Sequence, residues 1–322
     1  MLLGSPPDMV HGALLHRIAY WHNTVHNTHL LYTFSLLIAI AIFFIFSVEY
    51  CQYLRYNYGI FLMFRGVVVM ALLRCEIRSN VLNMNTHINV ILPHDTTKSN
   101  VPAKVLYLLH GLSDDCSKWT RYTALERKID SKNLAVVMPE VQRSFYADMH
   151  YGLNYFQYVA YELPELCKNM FNISDMREDT FIAGLSMGGY GALKTALTRT
   201  DFFSKVASFS GAVAFKKTLD GGVNNIYGPE RIKELIGICG QDAKLTEEDD
   251  PFFLAEKVLN EENVPDILLT CGTQDFLYND NVKFKNHLEE IGYPAKFLQW
   301  EGNHNWKFWD ESLDYLLEFL GV

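Results

Sequence analysis

The stretch Thr180-Phe181-Ile182-Ala183-Gly184-Leu185-Ser186-Met187-Gly188-Gly189-Tyr190-Gly191-Ala192-Leu193-Lys194 decides the fold. Its first four residues read as a strand, and from Gly188 the small and apolar residues open a helix. Ser186 therefore falls on a sharp strand-to-helix turn that exposes its hydroxyl. The Gly184-x-Ser186-x-Gly188 pattern is short enough to arise by chance; the strand before it and the helix after it give it meaning. Glycines flank the serine because side chains there would collide with neighbouring backbone. The helix aims its free amides and positive end at the serine, which favours negative charge developing on a bound oxygen.

From residue 75 onward the chain alternates short apolar runs with amphipathic stretches, the pattern of a sheet flanked by helices. Residues 75–82 and 87–92 are expected as an antiparallel opening pair. Residues 105–109, 134–138, 180–183, 206–209, 267–271 and 295–299 are too continuously apolar to have one wet face. They complete an α/β class with a mostly parallel central sheet of about eight strands and helices on both faces. Covering helices are expected over 122–131, 155–170, 188–197, 280–291 and 306–320, the last with Leu313, Leu316, Leu317 and Leu320 at helical spacing. Residues 212–263 interrupt the rhythm with two or three helices and a polar, Gly-rich connection, and read as a cap-like insertion over the site.

A nucleophilic serine needs an imidazole to take its proton, and the imidazole needs a carboxylate to fix its tautomer. With a serine on such a turn, acid and histidine follow in that chain order at later strand ends. Asp275 follows the 267–271 strand and His304 follows the 295–299 strand, so these two are the candidate acid and base. Asp280 is the alternative acid, but is expected as the N-cap of the helix beginning there. His110 is a rival base, although its place just before Gly111 suits it better to holding that loop. The Met187 amide is one candidate oxyanion donor, and the Leu112 amide, in His110-Gly111-Leu112-Ser113, is the other. Aromatics Trp119, Phe145, Tyr146, Tyr151 and Trp306 lie in stretches expected around the mouth, where they would contact substrate.

The 322 residues are 49% apolar and 14% aromatic, enough for one large core. The assignment is one catalytic domain, residues 70–322, preceded by a segment of different character. A net charge of −9 without any basic block argues against nucleic acid as a partner. The six cysteines are scattered, with no zinc spacing, so no metal site or cofactor is expected. Free buried thiols in a reducing compartment are the expectation for them. In residues 1–69 the only strong bases are Arg17, Arg55 and Arg65, and five of the eleven histidines lie between His11 and His29. Residues 30–48, LLYTFSLLIAIAIFFIFSV, carry no charge and approach a bilayer's span if translated. Two readings follow: a membrane anchor through 30–48, or a start at Met70, where the first strand begins, with 1–69 as translated upstream sequence.

Together, LLHGLSDDCSKW, FIAGLSMGGYGALKTAL, CGTQDFLY and GNHNWKFW resemble the bacterial tributyrin esterase and acetylesterase group of the esterase D-like family. The likeness runs from about Met70 to the C-terminus. It implies an α/β-hydrolase fold, a Ser186-Asp275-His304 triad without a metal, and hydrolysis of short acyl esters, acetyl to butyryl, sometimes on acetylated carbohydrates. It also implies a cytoplasmic enzyme, since the segment before Met70 has no counterpart in the family pattern. The family includes S-formylglutathione hydrolases and feruloyl esterases, which are the alternative activities. An alternative of another class is a catalytically silent α/β-hydrolase scaffold.

Overall fold

The computed structural model describes residues 69–94, 101–220, 229–241 and 245–322, all inside the compact unit Gly66–Val322. Its strands are β1 (Val69–Ser79), β2 (Met84–His94), β3 (Lys104–Leu109), β4 (Leu134–Pro139), β5 (Thr180–Leu185), β6 (Lys205–Phe209), β7 (Asp266–Gly272) and β8 (Ala295–Trp300). They form one eight-stranded sheet in the order β1-β2-β4-β3-β5-β6-β7-β8. The β1–β2 hairpin is antiparallel from Val69↔His94 to Ser79↔Met84, and β2 is antiparallel to β4. Every other pairing is parallel. Each expected strand is present, most extended by a residue or two. The exceptions are the opening pair: β1 pairs from Val69, along an edge that leaves Leu72 exposed and so carries no clear apolar pattern, and it ends at Ser79 rather than 82 because residues 80–83 form the hairpin turn, while β2 starts at Met84.

Alternation along the strands divides the core in two. Val105, Tyr107 and Leu109 of β3 face one apolar layer, and Leu106 and Leu108 face the other. The helices that cover these layers are α1 (Lys118–Tyr122), α2 (Leu125–Ile129), α3 (Tyr155–Gln157, then a π turn Tyr158–Glu162, then Leu163–Met170) and α4 (Met187–Thr198). They continue with α5 (Phe215–Asp220), α6 (Pro229–Cys239), α7 (Pro251–Val258), α8 (Tyr278–Glu290) and α9 (Trp306–Leu320). Tyr158, Leu163, Leu193 and Phe284 pack on the first face, and Trp119, Leu125, Leu313 and Leu316 on the second. This is the α/β-hydrolase fold, with its antiparallel start and helices on both faces.

Two expectations need correction. The helix expected over 122–131 is only the short α2, while Tyr122 ends a separate helix, α1, and an extended Thr123 stands between the two. The break is fixed by one local and one tertiary contact: the Thr123 hydroxyl donates back to the Trp119 carbonyl, and the Ala124 amide donates to Asp310 of α9 at 2.7 Å. Asp280 is not the N-cap of α8, which starts earlier, at Tyr278 after Leu277; Asp280 lies in its first turn and pairs with Lys283 at 2.8 Å.

The insertion carries α5, α6 and α7 among its described residues, with a 3₁₀ turn, Glu247–Asp249, between the last two. That turn docks on α4: Lys194, 5% exposed, reaches the Asp249 carboxylate at 2.5 Å, and the Tyr190 hydroxyl donates to the Asp249 carbonyl. No helix among the described residues is long and apolar enough to cross a membrane; the apolar run at 30–48 lies outside them.

β3 is the switch point of the sheet, with β4 on one side and β5 on the other. At such a point the loops leaving neighbouring strand ends diverge and open a crevice. The loop after β3 therefore borders the turn that carries Ser186.

Candidate active site

Ser186 has φ 53° and ψ −116°, a conformation that a side-chain-bearing residue adopts only under constraint. Its amide donates to the Phe209 carbonyl, and its own carbonyl accepts from Tyr190 and Ala212. The turn can be this tight because glycine stands at 188: a Cβ there would lie 2.6 Å from the carbonyl oxygens of both Leu109 and His110. A Cβ at Gly184 would in turn strike the Gly188 backbone. The flanking glycines are thus required by the approach of backbone, as expected.

His304 lies on the loop between β8 and α9, and the Asn305 side chain after it caps α9 by accepting from the Phe308 amide at 3.1 Å. Its ring is held between Phe276, with centroids 4.5 Å apart, and the edge of Trp309 at 4.9 Å. Nε2 lies 3.0 Å from Ser186 Oγ, and Nδ1 lies 2.8 Å from Asp275 Oδ2. Asp275 is on the loop after β7 with its side chain wholly buried, and its other oxygen accepts from the Leu277 amide at 2.8 Å. Burial pushes this carboxyl up, but hydrogen bonds from His304 and the Leu277 amide, the His304 charge and a bond from Ser210 outweigh it. Asp275 is therefore held below the usual carboxylate range and stays ionised. As an acceptor it keeps the proton on His304 Nδ1 and leaves the Nε2 lone pair facing the Ser186 hydroxyl.

Met187 is the first residue of α4, where the amide has no carbonyl one turn back to bond. Leu112 follows Gly111 on the loop after β3 and lines the same pocket as Ser186. His110 holds that loop. Its Nε2 accepts from the Val141 amide at 3.2 Å, so the proton sits on Nδ1, which donates to the Gly111 carbonyl at 2.8 Å. An imidazole committed in this way does not serve as base, which agrees with the positional role expected for it.

The pocket over Ser186 is a cavity of about 420 Å³ lined by Leu112, Arg143, Phe145, Ala212, Ala214, Phe215, Phe276, Leu277 and Asp280. Phe145 and Phe215 stack at 3.9 Å and 13° and close one side of it. Of the aromatics expected at the mouth, Phe145 lines the cavity and four do not. Trp119 and Tyr146 are wholly buried, because their polar tips bond backbone beneath the site: Trp119 Nε1 donates to the Leu109 carbonyl and the Tyr146 hydroxyl to the His110 carbonyl. Trp306 is engaged with Trp119, Tyr122 and Trp309. Tyr151 is exposed but lies against His150, with its amide bonded to the Gly237 carbonyl. Sequence reasoning missed Arg143, Phe215 and Phe276; the signal available was that each follows a strand end.

Burial pushes the thiols of Cys116, Cys167, Cys239 and Cys271 up to about 12, so none of these four is a competing nucleophile at neutral pH. Among the described residues no cluster of His, Cys, Asp and Glu could hold a metal ion.

Residues 79–320 match the family described as "Putative esterase". The chain belongs to this family. As an esterase of this family it is a carboxylic ester hydrolase, and its relatives agree. An acetyl esterase of Caldicellulosiruptor saccharolyticus is 30% identical, the match covering 78% of this chain and 98% of the relative. Among solved structures, the fluorophosphonate-binding serine hydrolase F of Staphylococcus aureus is 35% identical with a TM-score of 0.71, over 78% of this chain and 98% of that one. The S-formylglutathione hydrolase of Staphylococcus aureus is 36% identical with a TM-score of 0.69, over 78% and 99%.

Proposed function

We propose that this esterase cleaves short acyl esters, acetyl to butyryl, including acetyl groups on carbohydrates, through an acyl-enzyme on Ser186. The observation that carries the proposal is the hydrogen-bonded chain Asp275–His304–Ser186 opening into the 420 Å³ cavity. Ser186 Oγ attacks the ester carbonyl while His304 Nε2 takes its proton. The Leu112 and Met187 amides receive the developing oxyanion, each such donor being worth roughly 3–4 kcal/mol of transition-state stabilisation. His304 then protonates the leaving alcohol, and water activated by the same imidazole releases the acid. The Phe145–Phe215 stack supports the limit on acyl length, because a longer chain would have to displace two interlocked rings.

The test pairs Ser186→Ala with labelling of the wild type by a fluorophosphonate probe. Expected are a covalent adduct on Ser186 and loss of p-nitrophenyl acetate turnover in a variant that still folds. Retained turnover in Ser186→Ala would sink the proposal. A thioesterase acting on S-formylglutathione is the second reading, favoured by the likeness to a hydrolase of that name and by the cationic Arg143 in the pocket. Comparing kcat/KM for S-formylglutathione against acetyl esters separates the two.

A further inference from the structure

We propose that Arg143 is a positioning residue that ties the oxyanion loop to the insertion, so that the seating of α6 and the placement of the Leu112 amide are coupled. This rests on the serine-esterase reading above. Arg143 leaves the loop after β4 and works in two directions at once. NH1 donates to the Ser113 hydroxyl at 2.7 Å, while Nε and NH2 grip the two carboxylate oxygens of Glu234 on α6. Arg143 also lines the cavity with Leu112 and Ser186. Only a planar fork can hold a hydroxyl on one edge and a carboxylate on the other, so lysine would not substitute.

The loop it grips needs holding. Ser113 stands at φ 73°, in the left-handed region that disfavours side-chain-bearing residues, and closes a turn in which the Asp114 amide donates to the Gly111 carbonyl at 3.2 Å. Torsions on either side of Leu112 decide where its N–H points. His110 fixes the loop from within, through Gly111, and Arg143 fixes it from the solvent side, through Ser113. Arg143 is itself presented by a rigid segment. Gln142, Phe145 and Tyr146 all have φ between 52° and 54°, a clustering of strain that persists only where the surroundings over-determine it.

Two of the ion pairs that join the insertion to the body among the described residues differ in character. Lys194–Asp249 is buried, with 5% exposure on the lysine, whereas Arg143 is 46% exposed and Glu234 20%. The first is a fixed anchor. The second is open to water and salt, and it is the one that reaches the oxyanion loop.

The experiment measures kcat and KM for p-nitrophenyl acetate in Arg143→Lys, Ser113→Ala, Glu234→Gln and the Ser113→Ala/Glu234→Gln double variant, with active sites counted by fluorophosphonate titration. Per titrated site, Arg143→Lys should lower kcat roughly tenfold, less than the 10²–10³ lost when a donor is removed outright, with KM changed by less than about twofold. The double variant should lose no more than the worse single, because either break severs the same link. Raising NaCl from about 50 mM to 1 M should bring wild-type kcat toward that of Glu234→Gln and leave the variant unchanged. Wild-type kcat in Arg143→Lys, or losses that multiply in the double variant, would overturn the coupling. A merely structural role would change the titrated fraction and not the per-site rate. If the wild type neither labels nor turns over, the esterase reading itself has failed, and the coupling with it.

Discussion

Replacing Asp275 by asparagine should cost this enzyme about four orders of magnitude in kcat, and the reason can be followed atom by atom. Asp275 uses both oxygens: one accepts from the Leu277 amide at 2.8 Å and the other faces His304 Nδ1 at 2.8 Å. Asparagine has only one acceptor to offer. Its oxygen must stay on the Leu277 amide, because an NH₂ placed there would set two donors against each other in a wholly buried position. The NH₂ group is thereby turned toward His304 Nδ1, which must accept, and the ring proton moves to Nε2. That nitrogen then points a hydrogen at Ser186 Oγ and cannot take the serine's proton. A wrong tautomer with intact geometry costs about 10⁴ in the same triad built on an unrelated fold, or roughly 5.4 kcal/mol of barrier. The assay is turnover of p-nitrophenyl acetate per folded site, with circular dichroism as the control. Asp280→Asn is the companion: Asp280 is paired with Lys283 rather than with His304, so its loss should leave kcat within about threefold. An Asp275→Asn enzyme within tenfold of wild type, or a crippled Asp280→Asn, would refute the assignment of the acid. The same carboxyl has a pH signature. Its folded pKa is depressed, so its contribution to stability is present above the ordinary carboxylate pKa near 3.9 and disappears as pH falls through the lower folded value. The asparagine variant should lack that part of the acid transition.

Lys194→Met should destabilise the fold by about 3 kcal/mol, because it strands the Asp249 carboxylate in a mostly buried setting, and Tm should fall by roughly 6–12 °C. Burial pushes Asp249 up, but Lys194 and Thr246 hold it below the usual range; the gap between variant and wild type should therefore shrink as pH falls through the depressed value and the carboxylate is neutralised. A melt within 2 °C of wild type at pH 7 would show that the anchor carries no weight, a threshold set by the roughly 2–4 °C expected per kcal/mol. Phe215→Ala should raise the ratio of octanoyl to acetyl ester kcat/KM by about tenfold or more, since it removes one ring of the stack that closes the pocket. An unchanged chain-length profile would place the acyl group elsewhere.

The parts of the site that were legible in the sequence are those fixed by backbone necessity. Gly184 and Gly188 announce the turn at Ser186 because no other residue fits against β3, and that requirement is visible as letters. Asp275 and His304 stand just past the ends of β7 and β8, which the sequence placed to within a residue, although only β7 is buried along its length; β8, expected to have no wet face, is a half-exposed edge that carries Lys296 and Gln299. The start of α8 was misplaced because Asp280 looks like a cap. In the fold α8 has no side-chain cap: Leu277 precedes it, with its amide held by Asp275, which also holds His304, and an end set in this way leaves no capping residue to read in the sequence. The break between α1 and α2 was invisible for a similar reason: its determinant, Asp310, lies far along the chain on α9.

Each residue of the proposed site follows the C-terminal end of a strand: Leu112 after β3, Arg143 and Phe145 after β4, Ser186 after β5, Phe215 after β6, Asp275 after β7 and His304 after β8. Sequence periodicity tells which strand end a residue leaves, but not which way its side chain turns in the loop. Here that turn is set by left-handed conformations at Ser113, Gln142, Phe145, Tyr146 and Ser210, none of them glycine. Consecutive left-handed torsions at Phe145 and Tyr146 send one ring into the cavity and the next beneath it, onto the His110 carbonyl. Two adjacent aromatics of equal apparent promise thus divide into a wall of the cavity over Ser186 and a buttress of the loop after β3. Such torsions persist only because packing enforces them, so the features that shape the cavity are those that local sequence preference argues against.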